Sequence, residues 1–177
     1  GFLIAIMILP SAGFVALAVG KNPRLAGLAA TAGVLFGGGA VLVQSLRVLV
    51  SGVPEGLRLE WPVPFGSANM EIDALSAVFA SVIALVTMLA AVYGCGYLRA
   101  DAGRKNAGAC WFFFNLLAAS MLAVVVARNG VLFLVSWELM SLSSFFLVTR
   151  DDDKESVRRA GWTYLVAMRL GTAFLMA

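Results

Sequence analysis

Apolar runs separated by short polar breaks fill this chain, and each run approaches the roughly 20 residues that a helix needs to cross a bilayer. The pattern predicts six helices: Phe2 to Gly20, Leu25 to Val48, Ala74 to Leu98, Ala107 to Val126, Val131 to Val148 and Ala160 to Ala177. Pro10 lies inside the first, where a membrane helix tolerates it and can kink. Gly33 and Gly37, four apart in the second, allow a neighbouring helix to come close. "KNPR" and "ARNG" are too short for anything but turns. The one long polar segment is Ser51 to Asp73, "SGVPEGLRLEWPVPFGSANMEID", with Pro54, Pro62 and Pro64. Within it "LRLEW" alternates as a strand does, which suggests a small hairpin lying on the membrane surface. No internal repeat is visible, so a single membrane domain is expected.

Composition points the same way. Of 177 residues 61% are hydrophobic and 13% charged, with mean hydropathy +0.92. Soluble domains are about a quarter charged, so the fold class expected is an all-α polytopic membrane protein. The net charge of +3 does not point to nucleic acid, because the basic residues are scattered through short loops. Such loops report orientation instead. Lys21, Arg24, Arg99, Arg104, Lys105, Arg150, Lys154, Arg158 and Arg159 fall on one side, against Arg47, Arg58 and Arg128 on the other. That imbalance places the odd loops in the cytoplasm, and the N-terminus and the 51–73 loop outside. The chain opens on "GFLIAIMILP" and closes on "GTAFLMA" within apolar runs, as a piece of a longer polypeptide would. No signal-peptide pattern is present.

With no histidine and only Cys95 and Cys110, the chain lacks the ligands that an iron–sulfur cluster, a haem or a zinc ion requires. No cofactor, metal or catalytic centre of its own is expected. Any electron transfer would run through partner subunits.

The candidate chemistry is charge inside the membrane. Of ten acidic residues, nine fall in loops or at helix edges, and only Glu138 lies deep in a helix. Among thirteen basic residues only Arg169 does the same. Glu138 precedes Val148 by ten residues and Arg169 follows Ala160 by nine, about 15 and 13.5 Å at helical rise. Because the fifth and sixth helices run antiparallel, the two charges are expected at similar depth, as neighbours or in one polar layer. A charge at mid-bilayer costs several kcal/mol, so it marks either a function or a packing pair. A membrane carboxyl is a proton acceptor whose affinity its neighbours set. Ser141, at i+3 from Glu138, together with Ser144 and Asn115, could hold a relay. Alternatively the serines bond their own backbone, and the Glu138–Arg169 pair only staples helices.

At the residue level, "WELMSLSSFFLV" resembles the fifth-helix motif of the antiporter-like membrane subunits shared by complex I, membrane-bound hydrogenases and multisubunit cation/proton antiporters. "MEIDALSAVFASVIAL" and "VYGCGYLR" are similar to the start and end of that family's third helix. "FNLLAASMLAVVVARNGVLFLVSWELMSLSSFFLV" is similar to its fourth and fifth helices nearly throughout. "YLVAMRLGTAFLMA" resembles the hydrogenase type of sixth helix, and the wording is most similar to the large membrane subunit of the hydrogenase-4/formate hydrogenlyase group. The resemblance covers residues 60–177; the first two helices match in character only.

It implies the N-terminal portion of a larger bundle of about fourteen helices in two inverted repeats. It further implies proton or sodium translocation through Glu138, in concert with a helix-seven lysine that lies outside this chain. Arg169 has no role that carries over. Implied partners are other membrane subunits, soluble iron–sulfur hydrogenase or dehydrogenase subunits, and the lipid of a prokaryotic inner membrane. A cation/proton antiporter without redox activity is the alternative.

Overall fold

The computed structural model describes residues 2–63, 66–100 and 107–176. Residues 64–65 with Pro64, and 101–106 with Asp101, Arg104 and Lys105, lie outside the described residues, as do the side chains of Arg58 and Arg99. The order is α1 (Phe2–Ala18), α2 (Pro23–Ser51), β1 (Glu55–Val63), β2 (Gly66–Ile72), α3 (Ala74–Ala100), α4 (Ala107–Val126), α5 (Gly130–Val148) and α6 (Glu155–Met176).

Helix ends follow local chemistry that apolar counting does not see. Asn22 caps α2, its side chain accepting from the Arg24 and Leu25 N–H groups at 3.2 and 3.4 Å, and Pro23 fills the first turn. At the other end Gly52, in the left-handed region at φ +66°, donates its N–H to the Val48 carbonyl. Asn129 caps α5 in the same manner. α6 begins at Glu155, before the apolar residues start. The Lys154 carbonyl accepts from Val157 and Arg158, and an Arg159–Glu155 pair at 3.1 Å carries the helix through its charged first turn.

Four described helices are long and apolar enough to cross a membrane: α2, α3 over Ala74–Leu98, α4 and α5. α1 is apolar but shorter, at 17 residues. α6, which holds the expected sixth span, is not among these four; its first turn is charged and Arg169 is the one charge that follows Ala160.

Packing is that of a membrane bundle. Ala5, Ala16, Ala26, Ala30, Ala77 and Ala80 are buried, while Phe14, Phe36, Leu89 and Phe174 lie on the outside. Small residues at the seams let backbones approach, and large apolar ones suit lipid. α1 lies against α2 and α4, and α2 against α3. A methyl group on Gly33 would strike Ala12, and one on Gly37 would lie 3.1 Å from the Ala5 carbonyl, so this pair forms the α1–α2 seam. Trp111 is buried between α2 and α3, where Gly27 and Gly94 leave room for its ring. α5 packs on α4, with Phe113 and Phe146 stacked at 4.4 Å, and α6 touches α5.

β1 and β2 pair antiparallel, Glu55 opposite Ile72 and Leu57 opposite Met70. The hairpin is tied to the α4–α5 turn. Met70 bridges Ala127, the Arg128 N–H donates to the Asn69 carbonyl at 2.9 Å, and Ser76 Oγ donates to the Val125 carbonyl at 3.0 Å. Asp73, ahead of the α3 span, accepts from the Ser76 N–H and pairs with the Arg128 guanidinium. These two donors hold its carboxyl at about 2, below the ordinary 3.8. A depressed carboxylate contributes stability above its unfolded value and loses it as pH falls through the folded one. Asp73→Asn is therefore expected to melt below the parent at neutral pH, with the gap closing between pH 3.8 and about 2. Thermal unfolding of the detergent-solubilised protein checks this, and a gap independent of pH would show that the carboxylate charge adds nothing.

Candidate functional site

α5 is uncharged from Gly130 to Val148 except at Glu138, which sits at its centre. Nothing in local helix propensity asks for an acid there, and α4 over Ala107–Val126 carries no charge to answer it. The answer comes from α6. Gly161 lets α6 lie directly on the end of α5, since a Cβ there would run into Thr149 and lie 3.5 Å from the Phe145 ring. Arg169 follows eight residues later, about 12 Å along the axis.

Arg169 Nη1 donates to Glu138 Oε2 at 2.8 Å, and Thr172 Oγ1 donates to Glu138 Oε1 at 2.9 Å. The Glu138 side chain is 26% exposed and that of Arg169 58%, so the carboxylate is the more enclosed partner. Thr172 is buried, and its hydroxyl also lies 3.1 Å from the Met168 carbonyl. The arrangement is a carboxylate with each oxygen held by a different donor, one permanently cationic and one neutral.

Three serines follow Glu138 on α5. Ser141 is buried one turn from Glu138 and Ser144 is half-buried. Ser143 donates to the Leu139 carbonyl at 2.6 Å, the local backbone bond open to any membrane serine. Asn115 is not brought to Glu138. It lies two positions after Phe113, which faces α5, and that turns it about 200° around α4. It packs against Gly13 of α1 and near Gly33 of α2. Its amide donates to the Trp111 carbonyl at 2.9 Å, and its own oxygen is buried without a partner.

Sequence reasoning missed Thr172. The available signal was its i+3 spacing from Arg169, which puts both on one face of α6. Among the described residues no group of three or more His, Cys, Asp or Glu is placed to hold a metal ion.

Comparison with known proteins bears on the whole chain. Residues 66–106 match the family model described as NADH-ubiquinone oxidoreductase (complex I), chain 5 N-terminus. Hydrogenase-4 component B of Escherichia coli K12 is 36% identical over 142 residues, covering 80% of this chain and 21% of that protein. A putative antiporter subunit of Staphylococcus haemolyticus is 28% identical over 181 residues, covering 99% and 21%. Among solved structures, the Mrp complex from Dietzia sp. DQ12-45-1b superposes with a TM-score of 0.76 at 23% identity, over 99% of this chain and 18% of that one. The chain thus spans about a fifth of the length of these curated relatives. Apolar helices, a TM-score of this size and relatives matched over 80% and 99% of the chain agree: the chain belongs to the family of antiporter-like membrane subunits found in complex I, hydrogenases and Mrp antiporters.

Proposed function

We propose that this chain is part of an ion-translocating membrane subunit of a hydrogenase- or NADH:quinone oxidoreductase-like complex, with the proton as cargo and sodium as the alternative. Glu138 holds the travelling proton, while redox chemistry proceeds in cluster-bearing partner subunits. The observation that carries this reading is the lone carboxylate at the centre of α5, held by Arg169 and Thr172. An acid there, with one oxygen on a fixed cation and the other on a hydroxyl that can donate or accept, supplies the exchangeable group that a proton carrier requires. Ser141 and Ser144 stand along the same helix, where water could connect them to Glu138. Asn115, with its unpartnered buried oxygen, would belong to a separate polar spot. Proton uptake into vesicles holding the intact complex, with electron transfer followed separately, tests the reading. Uptake must fall when position 138 loses its acid.

A cation/proton antiporter subunit without redox partners is the second reading. It is favoured by the antiporter relative that matches 99% of this chain. Purification of the intact complex separates the two. A redox complex brings down cluster-bearing soluble subunits, and an antiporter brings down membrane subunits alone.

The subunit lies across a prokaryotic inner membrane with its N-terminus and the 51–73 hairpin outside, in the orientation that the basic loops favour. Cys95 near the end of α3 and Cys110 near the start of α4, both half-buried free thiols, then face the cytoplasmic side. A membrane-impermeant thiol reagent added to intact cells is expected to leave both unlabelled. Labelling of either from outside would reverse the orientation.

A further inference from the structure

Glu138 presents its two carboxyl oxygens to unlike partners, and we propose that Thr172 is the positioning residue of the proton site, fixing the carried proton on Oε1 and reversing its own hydrogen bond to receive it. This rests on the reading of Glu138 as the proton carrier. Oε2 faces Arg169 Nη1 at 2.8 Å. A guanidinium only donates, so an O–H on Oε2 would face an N–H with nothing to accept it. Oε1 faces the Thr172 hydroxyl at 2.9 Å, which can both donate and accept.

The hydroxyl also has somewhere to send its hydrogen, the Met168 carbonyl oxygen at 3.1 Å. With Glu138 ionised, Thr172 donates to Oε1. With Glu138 protonated, Oε1–H donates to Thr172, and the Thr172 hydrogen turns to Met168. The step balances: a hydronium ion gives one proton to Oε1 and leaves as water, and Thr172 keeps its own hydrogen throughout. Release is the reverse.

Thr149 and Thr163 show the ordinary case, each donating to the carbonyl four residues back. Only one charged side chain among the described residues faces Glu138 from the packed elements, Arg169 on α6; α4 supplies none, and α5 has no other charge between Gly130 and Val148.

The experiment uses the intact complex in vesicles with Thr172→Val, Thr172→Ser and Glu138→Gln in parallel. Uptake rate and the infrared carboxyl stretching band that Glu138→Gln removes are both read. Thr172→Val is expected to slow uptake about tenfold, the scale of one hydrogen bond to a charged group, and to move that band. Thr172→Ser is expected to restore both. If Val prevents assembly, Thr172→Ala takes its place with the same readouts. An unmoved band and parental rate in Val, or a serine variant as impaired as valine, overturns the role of Thr172 while leaving Glu138 in place. Normal uptake in Glu138→Gln removes the proton site and the role of Thr172 with it.

Discussion

Proton uptake is expected to fall by about 100-fold or more when Glu138 becomes glutamine, on the scale of losing an essential acid–base group, while Glu138→Asp keeps a measurable part of it. Glutamine has nearly the shape of glutamate and still offers one oxygen to accept from Arg169 or Thr172. It cannot take up or release a proton at working pH, so a loss in Gln isolates titration from packing. Aspartate keeps the acid on a stem one methylene shorter, which stretches bonds that stand at 2.8 and 2.9 Å and weakens positioning without removing the chemistry. Electron transfer measured on the same vesicles shows that the variants are assembled. Normal pumping by Glu138→Gln would reduce the carboxylate to a packing element, and the family likeness would then concern fold alone.

The second large effect concerns stability. Arg169→Leu leaves the Glu138 carboxyl at the centre of α5 with only a neutral hydroxyl for support, and is expected to cost about 3 kcal/mol, the penalty for an unpaired charge at mid-helix in a membrane. The cost falls chiefly on Glu138, because Arg169 is more than half exposed and can redirect its guanidinium. Pairing Arg169→Leu with Glu138→Leu is expected to regain most of it, since two apolar residues replace both charges. Thermal unfolding of the parent, both single variants and the double variant closes the cycle. Additive losses would mean that the 2.8 Å contact has no energetic coupling. A stable double variant that still pumps would identify the pair as a staple and nothing more.

Much of the architecture could be read from the chain, for physical reasons that also mark where reading stopped. Glu138 stood out because nothing else between Gly130 and Val148 carries charge. Arg169 could be matched to it because helical rise and an antiparallel pair fix depth. Rotation about the helix axis is another matter. Asn115 had suitable depth and chemistry, yet the packing of Phe113 on Phe146 turns it toward α1. Thr172 carries only the weak signal of its i+3 spacing from Arg169, since a threonine in an apolar helix usually bonds its own backbone and gains meaning only when a neighbour is placed. Helix ends made by polar atoms lie beyond the reach of apolar counting. Asn22 and the Glu155–Arg159 pair extend α2 and α6 beyond their apolar residues. The Gly33/Gly37 spacing was a weak sign that packing made specific, because Ala12 occupies the space a side chain would need.

The clasp between the hairpin and the α4–α5 turn also constrains how the molecule is made. Its halves, residues 69–76 and 125–128, are separated in the chain by all the rest of α3 and α4. Ser76 cannot reach Val125, nor Asp73 reach Arg128, until both intervening helices have left the insertion machinery and lie side by side on their final course. The clasp thus closes only over a correctly threaded pair, and a chain with either helix misinserted would be left with the Asp73 carboxylate and the hairpin edge without these partners.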